Sequence, residues 1–289
     1  MITNLAIGDA YGAAFEFAPN DFVRRNNCGT RYHRHPTQNI GVGCYTDDTQ
    51  MSLAIAETII ARDAWTPLRL ATRFVEVYKR DPRPGYAREF QKFLDEVRDG
   101  EEFLRRINPR SDKSGAAMRA GPIGIYGDVS EVIQRSTLQS KITHDTPDGI
   151  AAGVAAALMS HYCIYDVGNK KDLPAFLNRY VPGYQWERPW RGKVGSQGCV
   201  IVRAALTAFT GCNSMTDLLR TCVAFTGDTD TVATVALATA AHCREYRQDL
   251  SRTLHYKLEA SRYGRHYLAQ LDYELLALKK PNRRRWFLF

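Results

Sequence analysis

The chain has 289 residues, 44% hydrophobic and 24% charged, an ordinary balance for a globular protein with a substantial core. No apolar run is long enough to span a membrane, and the opening MITNLAIGDAYGAAFEF has no basic n-region and is interrupted by Asp9, so no secretory leader is read there. The net charge of +8 would suit nucleic acid or phosphorylated small molecules; part of it sits in the final KKPNRRRWFLF, read as a solvated tail, and the other basic residues are dispersed without the aromatic interleaving of a single-strand groove.

In chain order the reading is helical throughout. DDTQMSLAIAETIIAR places apolar residues at Met51, Ala54, Ile55 and Ile59, a helical spacing. TPLRLATRFVEVYKR is a second amphipathic helix opened by Thr66-Pro67, and GYAREFQKFLDEVRDG is a third. TPDGIAAGVAAALMSHYCIY is an Ala-rich buried helix. CVIVRAALTAFTGC, SMTDLLRTCVAFTG and DTVATVALATAAHCREY continue the pattern, and one or two longer helices close it from Asp249 to Lys280. No alternating strand with hairpin signals occurs. Loops are expected at APNDFVRRNNCGTRYHRHPTQNIGVG and at residues 181–198, whose several aromatics suggest a cleft wall. With no linker and no repeat, the expectation is one all-α domain spanning 1–289. The seven cysteines (Cys28, Cys44, Cys163, Cys199, Cys212, Cys222, Cys243) are odd in number and scattered, which reads as reduced thiols in the cytoplasm.

Two acidic clusters stand out. Thr46-Asp47-Asp48-Thr49 precedes one apolar helix, and Asp228-Thr229-Asp230-Thr231 precedes another. Each alone reads as an N-cap with an acidic first turn. Two with the same layout are harder to ascribe to capping, because buried carboxylates are costly unless something cationic lies between them. Hydroxyl and carboxylate oxygens without His or Cys suit Mg²⁺ or Mn²⁺, and two ions would offset the repulsion better than one. In GDAYGAAFE, Gly8 and Gly12 permit close backbone approach; Asp9 and Glu16, seven apart, would share a helical face, although on its own the segment reads better as a packing helix with two incidental acids.

Five segments in order, GDAYGAAFE, YTDDTQMSLAIAE, KSGAAMRAGPIGIY, THDTPDGIAAGVAAAL and TGDTDTVATVALA, resemble the ADP-ribosylglycohydrolases, the family that includes the dinitrogenase reductase-activating glycohydrolase. The resemblance implies a single-domain orthogonal helical bundle with a binuclear Mg²⁺ (or Mn²⁺) centre at the base of an ADP-ribose cleft. It implies metal ligands at Thr46, Asp47, Asp48, Asp228, Asp230 and Thr231. Catalytic roles would fall among Glu16, Asp47, Asp48 and Asp228, and substrate contacts on Ser114, Gly115, Ala116, Met118, Arg119 and His144. The chain departs from the family pattern at Ser114, where Asn is common, and at Thr226, where a second Gly is usual. These departures bear on loop geometry and substrate choice.

The implied activity is metal-dependent hydrolysis of the C1″ glycosidic bond of a mono-ADP-ribosylated acceptor, arginine on protein first, with ADP-ribose as product. Serine, O-acetyl-ADP-ribose and nucleic acid stay open as acceptors, and nucleic acid is not favoured. A catalytically silent ADP-ribose-binding or structural relative, and a metal-dependent phosphohydrolase, are the rival readings. Cys28, His33, His35 and Cys44 match no common zinc spacing, His161 and His242 read as packed or surface residues, and Ser214 as an N-cap. There is no GxSxG elbow, P-loop or dinucleotide fingerprint.

Overall fold

The computed structural model describes residues 1–280, so the terminal stretch Pro281–Phe289 of the expected solvated tail lies outside them. The helices are α1 (Ile2–Gly12), α2 (Asn20–Asn26), α3 (Asp47–Ile60), α4 (Pro67–Arg80), α5 (Arg88–Glu96), α6 (Gly100–Arg106), α7 (Gly115–Met118), α8 (Val129–Lys141), α9 (Pro147–Ile164), α10 (Leu173–Tyr180), α11 (Gly198–Gly211), α12 (Met215–Ala224), α13 (Thr229–Ala240), α14 (Arg252–Lys257) and α15 (Arg265–Ala277). Among the described residues there is no named strand, only isolated bridges such as Val194 to Gly227. The all-α expectation holds. No described helix is long and apolar enough to cross a membrane, and all seven cysteines are free thiols.

The helix starts follow from local chemistry. Thr66 and Thr146 cap α4 and α9, each followed by Pro at the first helical position, where the missing N–H costs nothing. Asp128 and Ser214 cap α8 and α12. The two helices that carry the acidic clusters differ: neither Thr46 before α3 nor Asp228 before α13 caps its own helix with its side chain. Side-chain capping by Thr46 or Asp228 therefore does not account for the clusters, although Asp47, Asp48 and Asp230 do lie in first turns and Asp230 Oδ1 accepts from the Thr231 N–H at 3.0 Å.

The core is built from small residues. Helix α1 runs along α13 and also touches α3 and α15, while α9 is wrapped by α7, α8, α11 and α13. Gly8 and Gly12 make the α1–α13 approach possible: a Cβ on Gly8 would lie 2.8 Å from the Ala233 backbone, and one on Gly12 would collide with the Asp230 backbone. This close packing brings the C-terminal end of α1, which carries Asp9, to the N-terminal end of α13, which carries Asp230.

Three expectations need correction. The stretch read as a loop from Ala18 to Gly43 contains α2, whose first turn holds Asp21 and whose last holds Arg24 and Arg25, charges that complement the helix dipole. The third helix is shorter than GYAREFQKFLDEVRDG: it stops at Glu96, and Asp99 starts α6 by accepting from the Glu102 N–H at 2.8 Å. At the end of the described chain there are two helices, as one of the alternatives has it, but α14 runs for only 6 residues against 13 for α15.

Candidate functional site

Asp9 organises the first acidic cluster. It is fully buried on α1, and its carboxylate accepts from four donors: the Thr46 N–H (2.9 Å) and hydroxyl (2.7 Å), and the Thr49 N–H (2.9 Å) and hydroxyl (2.6 Å). A side chain of one helix thus caps another. Burial raises the Asp9 carboxyl, and the four donors pull it back. The turn so fixed presents Asp47 and Asp48 to a cleft.

The second cluster arrives through a left-handed turn. Thr226 (φ 61°) and Gly227 (φ 90°) both have positive φ. The Val194 N–H donates to Thr226 O (3.0 Å), the Asp228 N–H to Val194 O (3.2 Å), and the Phe17 N–H to Gly227 O (2.8 Å). These bonds set Asp228 and Asp230 beside Glu16. The two clusters meet where the Thr231 hydroxyl donates to Asp48 Oδ1 at 3.2 Å, 183 residues apart in sequence. Asp48 Oδ2 is buried and has no hydrogen-bond partner.

The cleft encloses about 600 Å³, the size of a small-molecule site. Asp47, Asp48, Asp228, Asp230 and Thr231 line it, together with Glu16 and Phe17. Asp47, Asp48 and Asp230 sit well above the usual carboxylate range, first because burial penalises their charge and then because each faces other carboxylates. Burial also raises Asp228. Glu16 is pushed up to about 7 by burial and then by Asp228.

These acids fit a hard cation. A buried carboxylate oxygen without a donor, among oxygen-only groups, is a ligand set for Mg²⁺ or Mn²⁺ rather than zinc. Among the described residues no three or more His, Cys, Asp or Glu side chains are grouped closely enough to hold a metal ion as they stand; the acids are spread over the cleft lining, with Thr231 beside them.

Another part of the cleft is made by Ser114, Gly115, Met118, Arg119 and His144. Gly115 is required there, since a Cβ would lie 2.8 Å from the His144 ring. Arg119 is 1% exposed and has no carboxylate partner among the described residues. It donates to Gln139 Oε1 (2.6 Å), Gln139 O (2.9 Å) and Thr143 Oγ1 (2.8 Å), and its guanidinium lies 4.7 Å from the Phe74 ring centre. Burial lowers it to about 9, still cationic at neutral pH. His144, whose Nδ1 is 2.7 Å from Thr143 Oγ1, is lowered to about 3 by burial and then by Arg119, so its ring is neutral.

Of the residues the sequence singled out, two do not line the cleft. Thr46 is fully buried with its hydroxyl directed at Asp9, and Ala116 is buried behind the cleft with its carbonyl accepting from Gln139. Asp9 and Glu16 share no helical face: α1 ends at Gly12, and Glu16 lies in the turn that follows. The aromatic wall is also elsewhere. Within 181–198 only Ser196 lines the cleft, whereas Trp186 donates to Val181 O and Tyr184 to Asp148. Tyr86, Phe90 and Phe93 form the wall, with ring centres 5.9 Å apart along the series. Their i, i+4, i+7 spacing was the available signal; it marks one helical face but does not say what that face meets. The sequence reading also missed the buried role of Asp9. His35 holds Glu16 rather than a zinc ion, and Cys28 lies 3.9 Å from His33 on the exposed surface.

A family profile described as ADP-ribosylglycohydrolase matches residues 1–283. The chain is 24% identical over 321 residues to ADP-ribosylhydrolase ARH3 of Xenopus tropicalis, covering 89% of each. It is 24% identical over 252 residues to ADP-ribosylarginine hydrolase Tri1 of Pseudomonas putida (strain GB-1), covering 81% of this chain and 67% of the relative. A solved structure titled ADP-ribosylglycohydrolase-related protein complex superposes with a TM-score of 0.73 at 22% identity over 96% of both chains, a likeness of fold.

Proposed function

Because the chain belongs to the ADP-ribosylglycohydrolase family and is a hydrolase of that class, we propose that its cleft removes ADP-ribose from arginine on a modified protein by hydrolysis at C1″. The observation that carries the reading is the meeting of Asp47 and Asp48 with Asp228 and Asp230 around the unpartnered Asp48 Oδ2. Asp47, Asp48, Asp228, Asp230 and Thr231 would hold two Mg²⁺ (or Mn²⁺) ions, with Thr46 supporting the turn. The chemistry such ions supply when bound is orientation of the ribose hydroxyls and acidification of a water.

The chain's own groups divide the remaining work. Arg119, a buried cation without a carboxylate, suits the pyrophosphate. Thr143 accepts from Arg119 and can donate to His144 Nδ1, which leaves the proton on Nε2, a donor beside Gly115. Glu16, which exchanges its proton near neutral pH, suits proton transfer at the scissile ribose. Tyr86, Phe90 and Phe93 offer flat apolar surface for a base. The domain is taken as 1–289, and the free thiols favour the cytoplasm.

The test is a panel of ADP-ribosylarginine, ADP-ribosylserine, O-acetyl-ADP-ribose and ADP-ribosylated DNA, each with Mg²⁺ and with EDTA, read by mass spectrometry. Metal-dependent release of ADP-ribose from the arginine conjugate, lost in Asp228→Asn, is expected. AMP or phosphate as product would mean a phosphohydrolase. Bound ADP-ribose without any release would mean a silent binding relative.

A further inference from the structure

A second depression adjoins the cleft. It encloses about 540 Å³ between α2, the end of α12 and the Gly192-Lys193 segment, and it gathers three cations, Arg24, Lys193 and Arg220. A further 510 Å³ extends it past Asn213 and Asp217, sharing Asn27, Arg220 and Ala224 with the first part. The groove and the cleft share a ridge. Phe17 lines the cleft, Lys193 lines the groove, and the Lys193 ammonium lies 5.4 Å from the Phe17 ring centre. The Thr226-Gly227 turn, bonded to Val194, forms the rest of the ridge and leads directly into Asp228.

These cations are set by packing more than by carboxylates. Lys193 is held by the Phe17 ring. The Arg220 stem lies against Gly29, close enough that a Cβ there would sit 2.9 Å from Arg220 Cγ, while the residue as a whole stays exposed. Among the described residues Arg24 alone of the three is paired, with Asp21. Arg25, Arg31, Arg34, Arg188 and Arg191 lie nearby in sequence and are also exposed. The only carboxylate lining either part is Asp217, in the outer part.

We propose that this groove docks an acidic polypeptide segment next to the modified residue of the acceptor. The proposal rests on the protein-acceptor reading above. A cleft of about 600 Å³ takes the modified side chain but not the chain that bears it, so the flanking polypeptide must lie on the rim, and on the Phe17 side the rim is cationic. A nucleic-acid strand fits less well. It needs a track of phosphate contacts with stacked bases, whereas the groove has one aromatic lining residue, Phe225, and Asp217 in its outer part.

The test has two arms. In the first, a fluorescent unmodified decapeptide rich in Asp and Glu is titrated against the full chain at low salt and at 0.5 M NaCl, beside a neutral peptide and single-stranded DNA of equal charge. The acidic peptide should bind and lose its affinity in high salt. Lys193→Glu combined with Arg220→Glu should weaken it at least tenfold, while Lys193→Arg combined with Arg220→Lys keeps it. In the second arm, the acidic-flanked ADP-ribosylarginine peptide should show a kcat/KM at least tenfold above its neutral counterpart. The charge-reversal variant should lose that preference and keep wild-type turnover of free ADP-ribosylarginine. Equal binding by the charge-reversal variant, or tighter binding of DNA in the same groove, overturns the proposal. Absence of turnover with free ADP-ribosylarginine would instead overturn the arginine-acceptor reading, and the binding arm would still decide the groove.

Discussion

His35 Nε2 lies 2.8 Å from the carbonyl oxygen of Glu16, and the Nδ1 of the same ring accepts from the backbone N–H groups of Thr37 (3.1 Å) and Gln38 (2.8 Å). Two N–H groups aimed at Nδ1 require the proton on Nε2, so the ring donates to Glu16. A buried imidazole thereby ties the loop after α2 to the backbone of Glu16, the residue whose carboxyl lines the cleft. His35→Ala should lower kcat by about tenfold to a hundredfold through misplacement of Glu16, with a smaller change in KM. His35→Gln, which can donate and accept, should recover part of the loss. An alanine variant with wild-type kcat would remove His35 from this role.

Asp9 touches nothing in the cleft, yet four donors of the first acidic turn end on it. Asp9→Asn puts an NH₂ group where two donors already point. It should cost about 2–4 kcal/mol in chemical denaturation. It should also weaken the Mg²⁺-induced thermal shift, because Asp47 and Asp48 hang from that turn. Unchanged stability would mean that the turn is held by other contacts.

The pH dependence of the metal-free protein follows from its buried acids. Glu16 rises from 4.5 to about 7 on folding, and Asp47, Asp48 and Asp230 are raised as well. The folded state therefore binds more protons than the unfolded one. The stability these groups contribute is fully present below their unfolded values and is lost as pH rises through the folded ones. In EDTA, the melting temperature should fall between about pH 5 and 8. Mg²⁺ favours the ionised carboxylates and should flatten or reverse that fall. Identical profiles with and without Mg²⁺ would count against the cation site.

Thr226 is a β-branched residue at φ 61°, a conformation that costs an L-residue roughly 1–2 kcal/mol. Thr226→Gly relieves the strain and adds some unfolded-chain entropy, for a net gain of about 1 kcal/mol. A urea midpoint that moves down instead of up would show that the Thr226 side chain repays its strain.

Much of this was legible in the sequence because it is local. Helical periodicity located α3, α4, α9, α11 and α13, and the paired acids marked both ends of the cleft floor. What was illegible depends on which distant surfaces meet. Thr46 looked like a cap, but its hydroxyl turns to Asp9, a preference set by the α1–α3 contact. Tyr86, Phe90 and Phe93 looked like an ordinary apolar face, while the loop richer in aromatics spends its rings on its own packing. Helix α2 was hidden because seven residues with one buried side chain, Val23, leave almost no periodic trace. Thr226, which departs from the family's usual glycine, was visible as an oddity, and its positive φ supplies the physical content.

The bond between Thr231 and Asp48 spans 183 residues and has a consequence for how the protein is made. During translation α1 emerges well before α13. Until α13 is out, the glycine face of α1 lacks its α13 partner, and Asp47 and Asp48 face only each other, Asp9 and Glu16. The two acidic clusters of the cleft floor therefore come together only when α13 docks. A chain that stalls before α13 carries the first acids, the aromatic wall and Arg119, but no second half of the floor.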